Sequence, residues 1–118
     1  MGHINPVMSV LFAGVLVGCA AMPPLQQRSE TSAAAIRAAE EVGAPQVPRA
    51  ALYLQRAKEA SAKAKLLEAD GEKAQAASML LRAEADANLA VVVARADTER
   101  AKALAAAERV RQLKLSNQ

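Results

Sequence analysis

By residue type, one side chain in the 118 residues is a ready nucleophile: Cys19, the only cysteine. It closes an apolar run from Val7 to Val17 and directly follows Leu16-Val17-Gly18. A thiolate attacks electrophiles and carries covalent groups, and an apolar run ahead of it would deliver the sulfur to a bilayer surface. That run is too short to cross a hydrocarbon core, which takes about twenty apolar residues. It has instead the length of the apolar part of a secretory signal, with the small Gly18 placed at a cleavage point. The rest of the chain offers no comparable chemistry. The single histidine, His3, precedes the run. Glu40 and Glu41 are neighbours, and on a helix they diverge by about 100°, so they do not form an acid/base pair. Neither a Gly-rich phosphate loop nor a spaced set of metal ligands is present. No catalytic, metal-binding or cofactor-binding residue is therefore assigned, and the chain is read as a non-enzyme.

The four residues Leu16, Val17, Gly18 and Cys19 resemble the lipobox of bacterial lipoproteins. The resemblance implies transfer of a diacylglyceryl group to the Cys19 sulfur and cleavage before it, eased by the small Gly18. Cys19 would then begin the mature protein, and the covalent lipid would be its only attached group. Each buried acyl methylene contributes about 0.8 kcal/mol, and two chains already anchor stably where one is marginal. One departure is that Met1 to Pro6 holds His3 but no Lys or Arg, whereas signals carry positive charge there. The competing reading is a buried apolar helix with an inert cysteine. By the same resemblance, Ala20 in place of an aspartate permits export to the outer membrane. The expected location is its inner leaflet, facing the periplasm, with the inner membrane as the alternative.

The expected layout is a signal peptide over 1–18, a lipidated tether over 19–28 and an Ala-rich helical domain over 29–118. After the signal the chain has no Trp, Phe or His and a single Tyr53, and alanine dominates it. Alanine has the highest helix propensity because it loses no side-chain entropy. The predicted fold is all-α, an antiparallel hairpin or a three-helix up-down-up arrangement with a long C-terminal helix. Alanine buries little area, so the core is thin, while small side chains let helix axes approach closely. A net charge of +3 from 15 basic and 12 acidic residues, without basic patches interleaved with aromatic residues, excludes nucleic acid as the expected partner.

Pro23-Pro24 favours an extended spacer. Ser29 is placed to cap a first helix ending near Val42, before Gly43 and Pro45. Pro48 suits the first turn of a second helix running to about Ala69, in which Leu54, Ala57, Ser61 and Ala64 form a stripe flanked by Tyr53, Ala60 and Leu67. Asp70-Gly71 marks a turn. A third helix over Glu72 to Leu115 would reach roughly 65 Å. In it Ala76, Leu80, Ala83, Ala87, Ala90, Ala94, Ala101 and Leu104 recur at three- and four-residue spacing, a seam that Asp97 interrupts. Because an unpaired buried acid is costly, the covering should end near Asp97 and the helix should project. Glu59/Lys63, Arg82/Asp86, Arg95/Glu99 and Glu108/Arg111 are predicted ion pairs of a solvated face. In an up-down-up arrangement the projecting end points away from the tether. The candidate partner contact is accordingly Leu104, Arg109, Val110, Arg111, Leu113 and Lys114, with Leu115 beside them.

From Ala33-Ala34-Ala35-Ile36 and Ala38-Ala39-Glu40, through Gly43-Ala44-Pro45, Ala50-Ala51-Leu52 and Ala57-Lys58-Glu59-Ala60, to Gly71-Glu72-Lys73-Ala74, Ala83-Glu84-Ala85-Asp86-Ala87 and Leu89-Ala90, the chain resembles the domain-of-unknown-function family 4398. These are small envelope lipoproteins that occur alone or ahead of an OmpA-like peptidoglycan-binding domain. Ending Ser116-Asn117-Gln118 with no terminal lysine, the sequence is not expected to join the cell wall directly. The function expected is that of a lipid-anchored periplasmic structural or interaction protein presenting a long helix to an envelope protein. Two alternatives are lipid or small hydrophobic ligand binding between helices, and homo-oligomerisation through the Ala-rich seam.

Overall fold

The computed structural model describes residues 21–118. Leu16, Val17, Gly18 and Cys19, with the signal over 1–18, lie outside the described residues. Three helices make up the rest: α1 over Leu25–Glu41, α2 over Pro48–Ala69 and α3 over Lys73–Ser116, with a short 3-10 turn at Ala44–Gln46. The fold is all-α with a long C-terminal helix, and no strand occurs among the described residues. None of these helices is long and apolar enough to cross a membrane.

Helix α1 begins at Leu25, earlier than the Ser29 start expected from sequence, and shortens the extended spacer accordingly. Pro24 is the cap residue, in an extended conformation, and its carbonyl accepts the Arg28 N–H at 3.2 Å. The cause is local. The proline pair holds the chain extended only as far as Pro24, and Leu25, Gln26, Gln27 and Arg28 are all good helix formers. Ser29 therefore caps nothing; its carbonyl instead accepts a hydrogen bond from the Ser32 hydroxyl at 3.0 Å.

Gly43 closes α1 in the left-handed region at φ +84°, and Pro48 opens α2 in its first turn, as its ring predicts. The end of α2 is a Schellman motif: the Gly71 N–H donates to Glu68 at 3.0 Å and the Glu72 N–H to Leu67 at 2.8 Å. Gly71 has φ +81°, and a Cβ added there would meet nothing within 4 Å. The cost of a side chain at this position is thus purely conformational. We expect Gly71→Ala to cost about 1–2 kcal/mol and Gly71→Asn less, since asparagine tolerates this region. Thermal melts of the two variants beside the native chain check the order.

Buried positions on α3 are Ala76, Leu80, Ala83, Ala87, Ala90 and Ala94, alternating four- and three-residue steps, as the seam spacing requires. They face Ala50, Leu54, Ala57, Ala60 and Ala64 of α2 across an antiparallel hairpin. Ser61, expected in that stripe, is only half-buried, and Ala60 takes its place inward. Helix α1 packs mainly on α3 and touches α2 less. It contributes Ala39 and Ser32, both fully buried. A serine inward is no contradiction, since it is close to alanine in size and its hydroxyl is satisfied within its own helix.

Ala39, Ala44, Ala50, Leu54, Ala90 and Ala94 form one cluster, rimmed by half-buried Ile36, Val47 and Tyr53. The Gly43–Val47 turn therefore lies level with Ala90–Ala94. Since α3 is exposed beyond Ala94, α1 must run back along the first half of α3. Leu25 and Gly71 consequently share one end of the bundle.

Candidate interaction surface

From Arg95 to Gln118 every residue is exposed. The covered part of α3 ends at Ala94, and the helical remainder continues as a single rod for about 33 Å at 1.5 Å per residue. Asp97 is the first residue of the tail that would have continued the buried seam. No residue of the bundle covers it, so the acid stays in water. Ala101 and Leu104, which share the seam spacing, are exposed for the same reason. The rod leaves from the end opposite Leu25, the direction expected from the helix lengths.

Two rows of residues run along this helix. Leu104 and Leu115 extend the four-and-three spacing of the buried seam. Val110 and Leu113 belong to the other, which passes back through Ala106, Ala103, Glu99 and Ala96 to Val92 and Leu89. At 100° per residue the rows lie on roughly opposite sides of α3. The second faces outward along bundle and tail alike, with Val92 62%, Val110 51% and Leu113 57% exposed. The candidate contact residues thus divide: Leu104 and Arg111 stand on the row that continues the seam, apart from Val110 and Leu113, and Arg109 and Lys114 flank the outward row. The outward row was not foreseen. Three of its eight positions are alanine, in a chain that has alanine on every face, and Glu99 interrupts it, so spacing alone does not mark it; the exposure of Leu89 and Val92 does.

Charge is distributed unevenly. Six Lys or Arg and three Asp or Glu fall between Arg95 and Lys114, an excess equal to the +3 of the whole chain; the remaining nine of each sign cancel. The tail therefore carries all of the net charge. Of the predicted ion pairs, Arg82–Asp86 forms at 3.8 Å and Arg111–Glu108 at 3.9 Å. Arg95/Glu99 does not form, because Glu99 pairs with Lys102 at 2.9 Å. Glu59/Lys63 does not form either, and Glu59 accepts from Gln55 at 2.9 Å. One pair crosses between helices, Lys58 with Glu40. Apart from Asp86, whose side chain is only 19% exposed and so does not stand on a solvated face, these contacts are exposed and contribute little to stability. Arg95, Arg100, Arg109 and Lys114 make no ion pair among the described residues.

Concave places on the surface are shallow. One lies where the rod leaves the bundle, between Val47, Arg49, Val93, Ala96, Asp97 and Arg100. Another follows the tail at Ala107, Val110, Arg111, Lys114 and Leu115. Among the described residues no group of His, Cys, Asp or Glu is placed to hold a metal ion. No protein family, curated protein or solved structure matches the chain.

Proposed function

We propose that the chain is a lipid-anchored envelope lipoprotein that presents the C-terminal half of α3 to another envelope protein. The observation that carries this is the rod beyond Ala94: a continuous helix with exposed leucine and valine side chains and the whole of the net charge. Core packing does not require it, since every buried residue of α3 lies between Ala76 and Ala94. Anchorage rests on the lipobox resemblance of Leu16 to Cys19, and the outer-membrane assignment on Ala20. The resemblance to the domain-of-unknown-function family 4398 supports the same envelope setting. With the anchor at the N-terminal side and the rod leaving from the far end of the bundle, the contact surface is held off the membrane and within reach of a second protein.

In-cell photocrosslinking from positions between Ala94 and Leu115 tests this directly. A single crosslinked envelope protein is expected, and it should be lost when the chain is cut after Ala94 while the bundle keeps its cooperative melt. Capture that survives the cut would place the contact elsewhere.

A further inference from the structure

We propose that the outward row of α3 is a docking strip for one amphipathic α-helix of a different protein, a helix with small apolar seam residues and acidic flanks. The inference rests on the presented-helix reading above and names the chemistry of what is presented. In heptad terms the row fills the two seam positions of a second coiled-coil face that nothing in the bundle covers. Alanine at Ala96, Ala103 and Ala106 allows a partner axis to come close, while Val92, Val110 and Leu113 supply the larger apolar contacts near the ends.

The flanks decide the partner. Arg95, Lys102 and Arg109 recur every seven residues along one side of the row, and Arg100 and Lys114 stand on the other side. No acid occupies a flanking position anywhere in the tail; Asp97 and Glu108 lie on the face that continues the buried seam. Four of these five cations have no ion-pair partner among the described residues. A second copy of this chain fits badly in either orientation. Parallel pairing sets Arg95 against Arg100 and Arg109 against Lys114; antiparallel pairing sets each basic flank against itself. Like charges across a seam oppose association, and opposite charges select the partner and its orientation. An anionic bilayer also attracts cations, but it has no use for a seven-residue period, and the row has no Trp or Phe and carries Ala96, Glu99, Ala103 and Ala106 along its middle, where an interfacial helix presents bulky apolar side chains. Glu99 sits inside the row, so a basic residue opposite it on the partner would fix the register.

Peptide binding tests the assignment. Two synthetic peptides of about four heptads share an Ala/Leu seam; one carries Glu at every flanking position, the other Lys. Each is titrated by fluorescence anisotropy against the full chain in zwitterionic phosphatidylcholine nanodiscs. The Glu peptide is expected to bind at least about tenfold tighter than the Lys peptide and to weaken as salt is raised. The fourfold variant Arg95→Glu, Arg100→Glu, Arg109→Glu, Lys114→Glu should exchange the preference and bind the Lys peptide. Its substitutions lie outside the bundle, and an unchanged melting curve confirms that. Equal affinity for both peptides, or no binding of either, overturns the proposal. So does sedimentation with phosphatidylglycerol vesicles without binding of the Glu peptide, which would reassign the cations to lipid. If the peptides fail while in-cell crosslinks from the tail still yield one envelope protein, the presented helix stands and only this docking chemistry falls.

Discussion

Ala90→Leu is expected to destabilise the bundle by about 2–3 kcal/mol, whereas Ala103→Leu, further along the same helix, should leave it unchanged. Ala90 is fully buried in the cluster where α1, α2, α3 and the Ala44–Gln46 turn converge. Its neighbours there include Ala39, Ala44, Ala50 and Ala94, none of which has a rotamer to change. Leu54 is the one buried member of the cluster that could change rotamer, so an isobutyl group at Ala90 is accommodated mainly by backbone movement. The helix that yields should be α1, since it is held largely by its contact with α3. Ala103 lies on the exposed rod and meets no such limit. At about 4–8 °C per kcal/mol for a domain of this size, the first substitution lowers the melting temperature by roughly 10–20 °C. Far-UV circular dichroism of both variants reads the difference. An Ala90→Leu chain melting like the native one would mean that the axes are not closely packed.

The second large effect is all-or-none and falls on Cys19. If its sulfur receives the diacylglyceryl group, the native protein should have an intact mass lacking residues 1–18 and increased by its acyl chains. Cys19→Ser removes the nucleophile, and a serine hydroxyl is far less nucleophilic than a thiolate near neutral pH. The variant should therefore keep residues 1–18 and carry no lipid. Labelled fatty acid should enter the native protein and not the variant. The physical stake is the anchor, because each acyl methylene withdrawn from water contributes about 0.8 kcal/mol. Native and Cys19→Ser proteins of the same processed, unlipidated mass would remove the lipoprotein assignment, leaving the bundle and its rod as described.

Much of the architecture could be read from particular residues. Pro48 and the Gly43 and Gly71 stops punctuate the chain through backbone constraints that hold in any fold. The α3 seam was legible because Leu80 and the alanines at four- and three-residue steps share one face. The loss of cover near Asp97 followed from the cost of burying an acid. Other features depend on partners in space. Ser29 has the side chain of a cap, yet the helix starts earlier because nothing after Pro24 resists it. Ser32 faces inward because tight packing selects for size. Leu104 was grouped with Val110 as an exposed apolar residue, and only its position around α3 separates the two. The outward row itself was hidden by composition, since its middle is alanine broken by Glu99, and such a pattern is visible only once the opposite face is known to be covered.

Past its first turns, where Ala96, Asp97 and Arg100 lie near Val47 and Arg49, the rod beyond Ala94 has no tertiary neighbour among the described residues, so its winding depends on its own residues. Starting a helix in water is unfavourable by a factor of about 10⁻³, and isolated helices shorter than about 12–15 residues are marginal. The tail escapes the first difficulty because it grows from turns that the bundle has already wound. It eases the second through Ala101, Ala103, Ala105, Ala106 and Ala107, which propagate a helix with the least loss of freedom. Alanines that contribute little to adhesion thus act on the entropy of capture: a partner meets a surface already in its bound shape, and little ordering remains to be done when the two associate.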